Sequence, residues 1–302
     1  MGDAYERFQL ALARVPFRLK VALVWAAMFG VLAFVGNAAG FDVQWIRDNM
    51  RYILGGVRYT LTIAVGGIVL ACVMALLGAL ARTSRNPVAY GVAGFYVSFF
   101  RGTPLIVQLF LLYLALPPVG RNLQAEYGWL PDGFDELLLL DIATAGIVGL
   151  GLNYGAYMTE IFRSGIQSVA GGQGEAADAL GMTYLQKMRR VVLPQAFRVV
   201  IPPTGNEFIA MMKDTALISF LGVTLASAEV FRRAQLLGKA DYKNLEAYVA
   251  AALVYWGLTA IFTFLQARLE KRIGRSYDRA HVAAAMLAAN EQGQPRGGGG
   301  LP

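Results

Sequence analysis

Two pairs of polar residues in one apolar stretch carry the clearest chemistry in this sequence. Glu207 and Asp214 stand seven residues apart, as do Asn206 and Lys213, so on a helix each pair shares a face. Lys213 and Asp214 are neighbours whose side chains would point about 100° apart on a helix, so they do not pair with each other. One helix would thus show an acidic stripe beside an amide and cation stripe. A zwitterion with an α-ammonium and an α-carboxylate asks for that pairing. Arg101 and Asn153, in two other apolar stretches, are candidates to join the set. Arg101 has a structural alternative, pairing with Glu207 or Asp214 to steady the helices. Two carboxylates lean towards a solute with extra positive charge, a lean that one unmatched arginine would cancel. Catalytic chemistry is poorly supplied. Cys72 is the only cysteine and His281 the only histidine, which leaves no disulfide, no metal set and no nucleophile–base unit in the apolar body.

The elements that must position these residues are apolar. Of 302 residues, 56% are hydrophobic and 16% charged, with mean hydropathy +0.48; soluble domains carry about 25% charged residues. Six stretches hold the roughly 20 apolar residues needed to cross a bilayer: 21–39, 60–81, 88–116, 137–162, 199–225 and 248–265. The third is interrupted by Arg101-Gly102-Thr103-Pro104, the fifth by Pro202-Pro203 and Lys213-Asp214. None shows sustained two-residue alternation, so the class is all-α and not a β-barrel. Small residues recur at four-residue spacing, as Gly67, Ala71, Ala75 and Ala79, and as Ala145 and Gly149 leading to Asn153. In lipid, such spacing lets helices approach closely.

Net charge is +7. With the N-terminus inside, 17 of the 27 lysines and arginines fall on inner segments, the bias of a cytoplasmic side and not a nucleic-acid surface. The basic lead-in, first apolar run and Gly36-Asn37-Ala38 also fit a cleavable signal peptide; a lead-in of 20 residues favours a retained helix. The expected layout is a cytoplasmic N-terminus and first helix over 1–40, a membrane domain over 41–274 with a cytoplasmic loop at 163–198, and a disordered tail over 275–302 ending in Gly297 to Gly300. The chain has no G-x-x-x-x-G-K-[ST] phosphate loop.

In the cytoplasmic loop, residues 175–180 read as a short helix with acids at its N-terminal end and Gly181 as its stop. Thr183 caps a second helix over 185–192, which Pro194 ends. A low-profile, alanine-rich helix on such a loop suits a groove on a partner protein. Glu175-Ala176-Ala177, Gly181, and Val191 (where isoleucine is more usual) with Leu193-Pro194 resemble the EAA loop of ATP-binding-cassette (ABC) importer permeases. Neighbouring stretches resemble the polar amino-acid (His/Gln/Arg-type) branch: Phe100 to Leu105 with Gln108, Gly155-Ala156-Tyr157 with Glu160, Gly172-Gln173, Pro194-Gln195-Ala196, and Lys213 to Ser219. The resemblance covers about 54–272, and not the first helix or the tail.

It implies a five-helix type I permease core plus one additional N-terminal transmembrane helix, in a bacterial cytoplasmic (inner) membrane. The implied partners are a cytoplasmic ABC ATPase dimer that binds ATP and Mg, a second permease subunit, identical or homologous, and an extracytoplasmic amino-acid-binding protein; this chain binds no cofactor and no nucleic acid. Glu175, Ala176, Ala177, Gly181, Leu193 and Pro194 become the coupling residues, and Glu207, Asn206, Asp214, Lys213, Arg101 and Asn153 the substrate pathway. The competing reading is an ion-coupled secondary transporter acting without an ATPase, motivated by broken helices and intramembrane charge. A non-transporting membrane scaffold is a third.

Overall fold

The computed structural model describes residues 16–38, 40–127, 133–169, 171–222 and 228–293. Every regular element among them is helical. Helix α1, Phe17–Ala38, is apolar all round, and its large side chains are exposed along its length. A turn through Gly40, at φ +66°, leads to α2, Val43–Leu54. Asp42 caps α2 by accepting from the Trp45 backbone N–H at 2.9 Å, satisfying one of the donors that every helix start leaves free. This helix is amphipathic, burying Ile46 and Ile53 and exposing Arg47, Asp48 and Arg51.

Helices α3, Val57–Thr83, and α7, Ile142–Gln167, form the centre. Lipid tails are as apolar as leucine, so helices in a bilayer associate through close packing and hydrogen bonds. The sequence supplies the small residues for it. Gly67, Ala71, Ala75, Gly78 and Ala79 are the buried stripe of α3, while Val65, Val69, Val73 and Leu77 point outwards. Across the seam, a Cβ added at Gly151 would lie 2.7 Å from Leu70, and one at Gly155 would lie 2.6 Å from the Tyr96 hydroxyl. The spacing read from the sequence thus positions two helices in contact.

The third apolar stretch is two helices. Pro104 has no N–H to donate and Thr103 is extended (φ −117°, ψ 147°), so α4, Pro87–Gly102, stops and α5, Leu105–Glu126, begins. A π-helical turn over Leu111–Ala115 loosens α5, which runs past the expected end at Leu116. A short α6, Phe134–Leu137, precedes α7.

The segment after α7 holds α8, Gly171–Ala179, and α9, Tyr184–Lys187. A π-helical turn, Met188–Val192, then passes straight into α10, Leu193–Asp214. Pro194 therefore begins a helix instead of ending one: in the first turn its missing N–H costs nothing. Pro202 and Pro203 lie inside α10 without ending it, and a 3₁₀ segment, Thr215–Leu221, continues its path.

Helix α11, Val230–Ala240, packs beside the start of α12, Asn244–Gly293. The stretch from Arg275 that composition reads as disordered is helical as far as Gly293; Gly297 to Gly300, like Arg7 and Arg14 of the basic lead-in, lie outside the described residues. By length and hydropathy, α1, α3, α5 and the Asn244–Ile273 part of α12 can each cross a membrane. Helix α7 is rich in glycine, and α10 holds Pro202, Pro203, Glu207, Lys213 and Asp214 within its apolar run.

Two cores result. The larger joins Ile63, Leu109, Leu150, Met158 and Met211; the smaller joins Ile46, Ile53, Val230, Ala247 and Val254 from α2, α11 and α12. Glu229, 1% exposed, ties the start of α11 to α12 by accepting from the Tyr255 hydroxyl (2.8 Å) and the backbone N–H groups of Phe231 and Arg232 (2.6 Å each).

Candidate translocation and coupling sites

The loop between α7 and α10 is a tight helical return. At the end of α8 the Met182 N–H donates to Ala177 O (3.1 Å) and the Gly181 N–H to Asp178 O (2.9 Å). These are the paired bonds of a Schellman stop, and they put Gly181 at φ +74°, where a Cβ would be strained. Thr183 caps α9 in a reciprocal capping box with Gln186. Lys187 Nζ closes the turn by donating to both Asp178 oxygens at 2.8 Å. Gln195 of α10 donates to Gln173 of α8, fastening the loop to the helix that follows it.

This geometry divides the motif. Glu175 and Ala176 face solvent, whereas Ala177 turns inward and is buried. Leu193 is half-buried and Pro194 exposed at the head of α10. Leu180 and Leu185, 78% and 74% exposed, present apolar surface on either side of Gly181. Glu160, at the base of the loop, accepts from Arg163 Nε at 2.8 Å and lies 3.9 Å from Arg82, anchoring the end of α7.

The pathway candidates come from three helices. Asp214, at the C-terminal end of α10, accepts from the Tyr154 hydroxyl at 2.8 Å. Glu207 is half-buried about two turns before Asp214 on the same helix, and Tyr157 follows Tyr154 by three residues on α7. The Arg101 guanidinium lies over the Tyr157 ring, 5.3 Å from its centroid, and not on either carboxylate. Lys213 and Asn206 are exposed on the other side of α10, with Asn206 Oδ1 accepting from Gln266 at 3.0 Å. Asp214 is thus joined to Tyr154 and Arg101 to Tyr157 on the same helix, Glu207 shares the α10 face of Asp214, and Lys213 and Asn206 are exposed.

Asn153 does different work. It is 6% exposed, and its Nδ2 donates to Phe100 O (3.1 Å) and Gln108 Oε1 (3.0 Å). Gln108 Nε2 in turn reaches Phe100 O and Thr103 Oγ1. These two amides satisfy backbone groups that the break at Pro104 leaves without helical partners. Tyr154 and Tyr157 were not singled out in the sequence as pathway residues. The available signal was two large hydroxyl-bearing rings, three residues apart, on a helix otherwise lined with glycine.

Residues 67–275 match the family described as the binding-protein-dependent transport system inner membrane component. The chain belongs to this family. It is 37% identical over 240 residues to the probable amino-acid ABC transporter permease protein PatM of Vibrio harveyi, covering 80% of this chain and all of that one. It is 36% identical over 285 residues to the arginine transport system permease protein ArgU of Corynebacterium glutamicum, covering 91% and 86%. A crystal structure of an amino acid ABC transporter with histidines superposes with TM-score 0.63 at 33% identity, over 76% of this chain and 98% of that one. The chain is a multi-pass membrane permease subunit of an ABC importer. Permease subunits of this family are not enzymes; ATP hydrolysis belongs to a separate partner. Among the described residues no group of three His, Cys, Asp or Glu could hold a metal ion.

Proposed function

We propose that this chain forms, with a second permease subunit, the membrane pathway of an ATP-driven importer for polar amino acids, and that residues 175–181 seat in a groove of the ATPase. The observation that carries the reading is continuity. The loop with its exposed Leu180 and Leu185 runs through α9 and the π-helical turn directly into α10, the helix that bears Glu207 and Asp214. Force applied to the loop reaches the pathway along one rod, the kind of rigid-body link that alternates access. The sequence family supports amino acids as the solute class, since PatM and ArgU are named for them.

In this reading α4 and α5 together make one bent crossing. Six crossings then keep both termini and the loop on the cytoplasmic side, α1 is an addition before a core at 41–274, and the binding protein delivers solute to the outer face. Solute passes Tyr154, Tyr157, Glu207 and Asp214, whose carboxylates meet its ammonium group, with Arg101 opposite its carboxylate. The test is uptake of [14C]arginine and [14C]glutamine into proteoliposomes holding the permease and ATPase, with the binding protein outside. ATP-dependent uptake of either supports the reading. Uptake that persists without ATP or the ATPase contradicts it in favour of a secondary transporter.

A further inference from the structure

The weakest turn of α10 lies between its loop end and its pathway end. Pro202 and Pro203 carry no N–H, so the carbonyls of Arg198 and Val199 lose their α-helical donors. The segment before the break is held by α7: a Cβ at Gly165 would stand 2.4 Å from Val200, and the Phe162 and Phe197 rings meet edge-on at 6.4 Å. The segment after it is held by α12, where Phe208 meets Phe262 at 5.1 Å.

One side chain of α12 lies against the turn that follows the break. Gln266 Nε2 donates to Pro202 O (3.1 Å), Asn206 Oδ1 (3.0 Å) and Glu270 Oε1 (2.9 Å), sharing two protons among three acceptors. Its Oε1 is buried without a partner, an arrangement that costs stability instead of adding to it. Gly205 makes room for the amide, since a Cβ there would lie 2.8 Å from Gln266. A groove of about 190 Å³ runs alongside, lined by Ile201, Pro202, Gly205, Phe208 and Gln266 among others. A polar side chain kept at this cost, on the turn that follows the missing hydrogen bonds, points to a task other than packing.

We propose that Gln266 is a positioning residue for transport. Its amide ties the turn carrying Asn206 and Glu207 to α12, so that loop movement bends α10 only at the proline pair and carries pathway and last helix together. The proposal rests on the reading of the chain as an ATP-driven permease, and the experiment separates the two. In proteoliposomes with ATPase and binding protein, ATP hydrolysed per [14C]arginine or [14C]glutamine imported is measured for wild type, Gln266→Met, Gln266→Glu and Glu270→Gln.

Wild type without ATP-dependent uptake overturns the permease reading itself. With wild-type uptake present, Gln266→Met, which removes the donor at similar volume, is expected to raise the ratio at least about threefold with complex yield unchanged. Gln266→Glu, isosteric and unable to donate when ionised, carries the same expectation should the methionine variant assemble poorly. Glu270→Gln keeps the bonds to Pro202 and Asn206, so its ratio should stay at the wild-type value. The proposal is overturned by an unchanged ratio in both Gln266 variants, by uptake and hydrolysis falling together with protein yield, or by Glu270→Gln matching Gln266→Met.

Discussion

At the residue scale, chemistry and support divide between side chains that look equivalent in the sequence. Asp214 accepts from the Tyr154 hydroxyl, and Glu207 lies about two turns before it on the same face of α10, so Glu207→Gln should change which amino acids stimulate the ATPase while leaving assembly intact. Stimulation by a panel of amino acids loaded on the binding protein checks this. A profile identical to wild type would make Glu207 structural. Gly181 at φ +74° admits a side chain only with strain of about 1 kcal/mol or more. Gly181→Asp adds a charge at the same place, and Glu175→Lys reverses one; both should leave the protein in the membrane with uptake abolished. The acid pair on α10 could be read from seven-residue spacing, because periodicity fixes which residues share a face. Asn153 could not: its spacing places it correctly among glycines, but its partners Phe100 O and Gln108 come from two other helices. Arg101 likewise meets Tyr157, a ring that charge patterning does not reveal.

At the scale of elements, glycines set how near the helices come. A large residue at Gly151 or Gly155 must displace Leu70 or Tyr96, and overpacking of this kind costs about 1–3 kcal/mol. Gly151→Leu should therefore lower the melting temperature in detergent, whereas Gly172→Ala, with nothing within 4 Å of the new Cβ, should not. Thermal unfolding followed by size-exclusion chromatography distinguishes them. The start of α2 is sensitive to acid. The Trp45 N–H, and after it the Lys243 ammonium, hold the Asp42 carboxyl below the usual range. That contribution is present above the unfolded carboxylate value, near pH 4, and is lost as pH falls through the lower folded value. Asp42→Asn should flatten the acid limb of the stability profile, measured by Trp fluorescence. Helices α3 and α7 were legible in the sequence because small residues recur along one face. The joint at Pro194 was not, since a proline that ends one helix and one that begins the next look alike until the preceding turn is known to be π-helical. Pro104 is the opposite case: the interruption at Arg101 to Pro104 is visible in the sequence, and one helix ends and the next begins there.

At the scale of the whole molecule, charge and continuity together define a direction. Cations gather on the segments that flank the loop, and α10 joins that loop to the pathway. In the proposed layout of six crossings, both ends of the chain lie inside. A green fluorescent protein fused at the C-terminus should fluoresce, and alkaline phosphatase fused after residue 127 should be active outside; the opposite pattern would reverse the topology. The membrane class followed from composition, because too few charges are present to cover a soluble surface, and the helical class from apolar stretches without two-residue alternation. The partner surfaces did not, because Leu180 and Leu185 gain meaning only when the structure shows them uncovered. The central claim, that residues 175–181 sit against the ATPase, is tested most directly by crosslinking. In a Cys72→Ala background, Ala176→Cys treated with a short bismaleimide in membranes containing ATPase with an engineered groove cysteine should give an adduct of permease plus ATPase. Labelling of Ala176→Cys from outside the cell, or no adduct in a complex that still transports, would contradict the account.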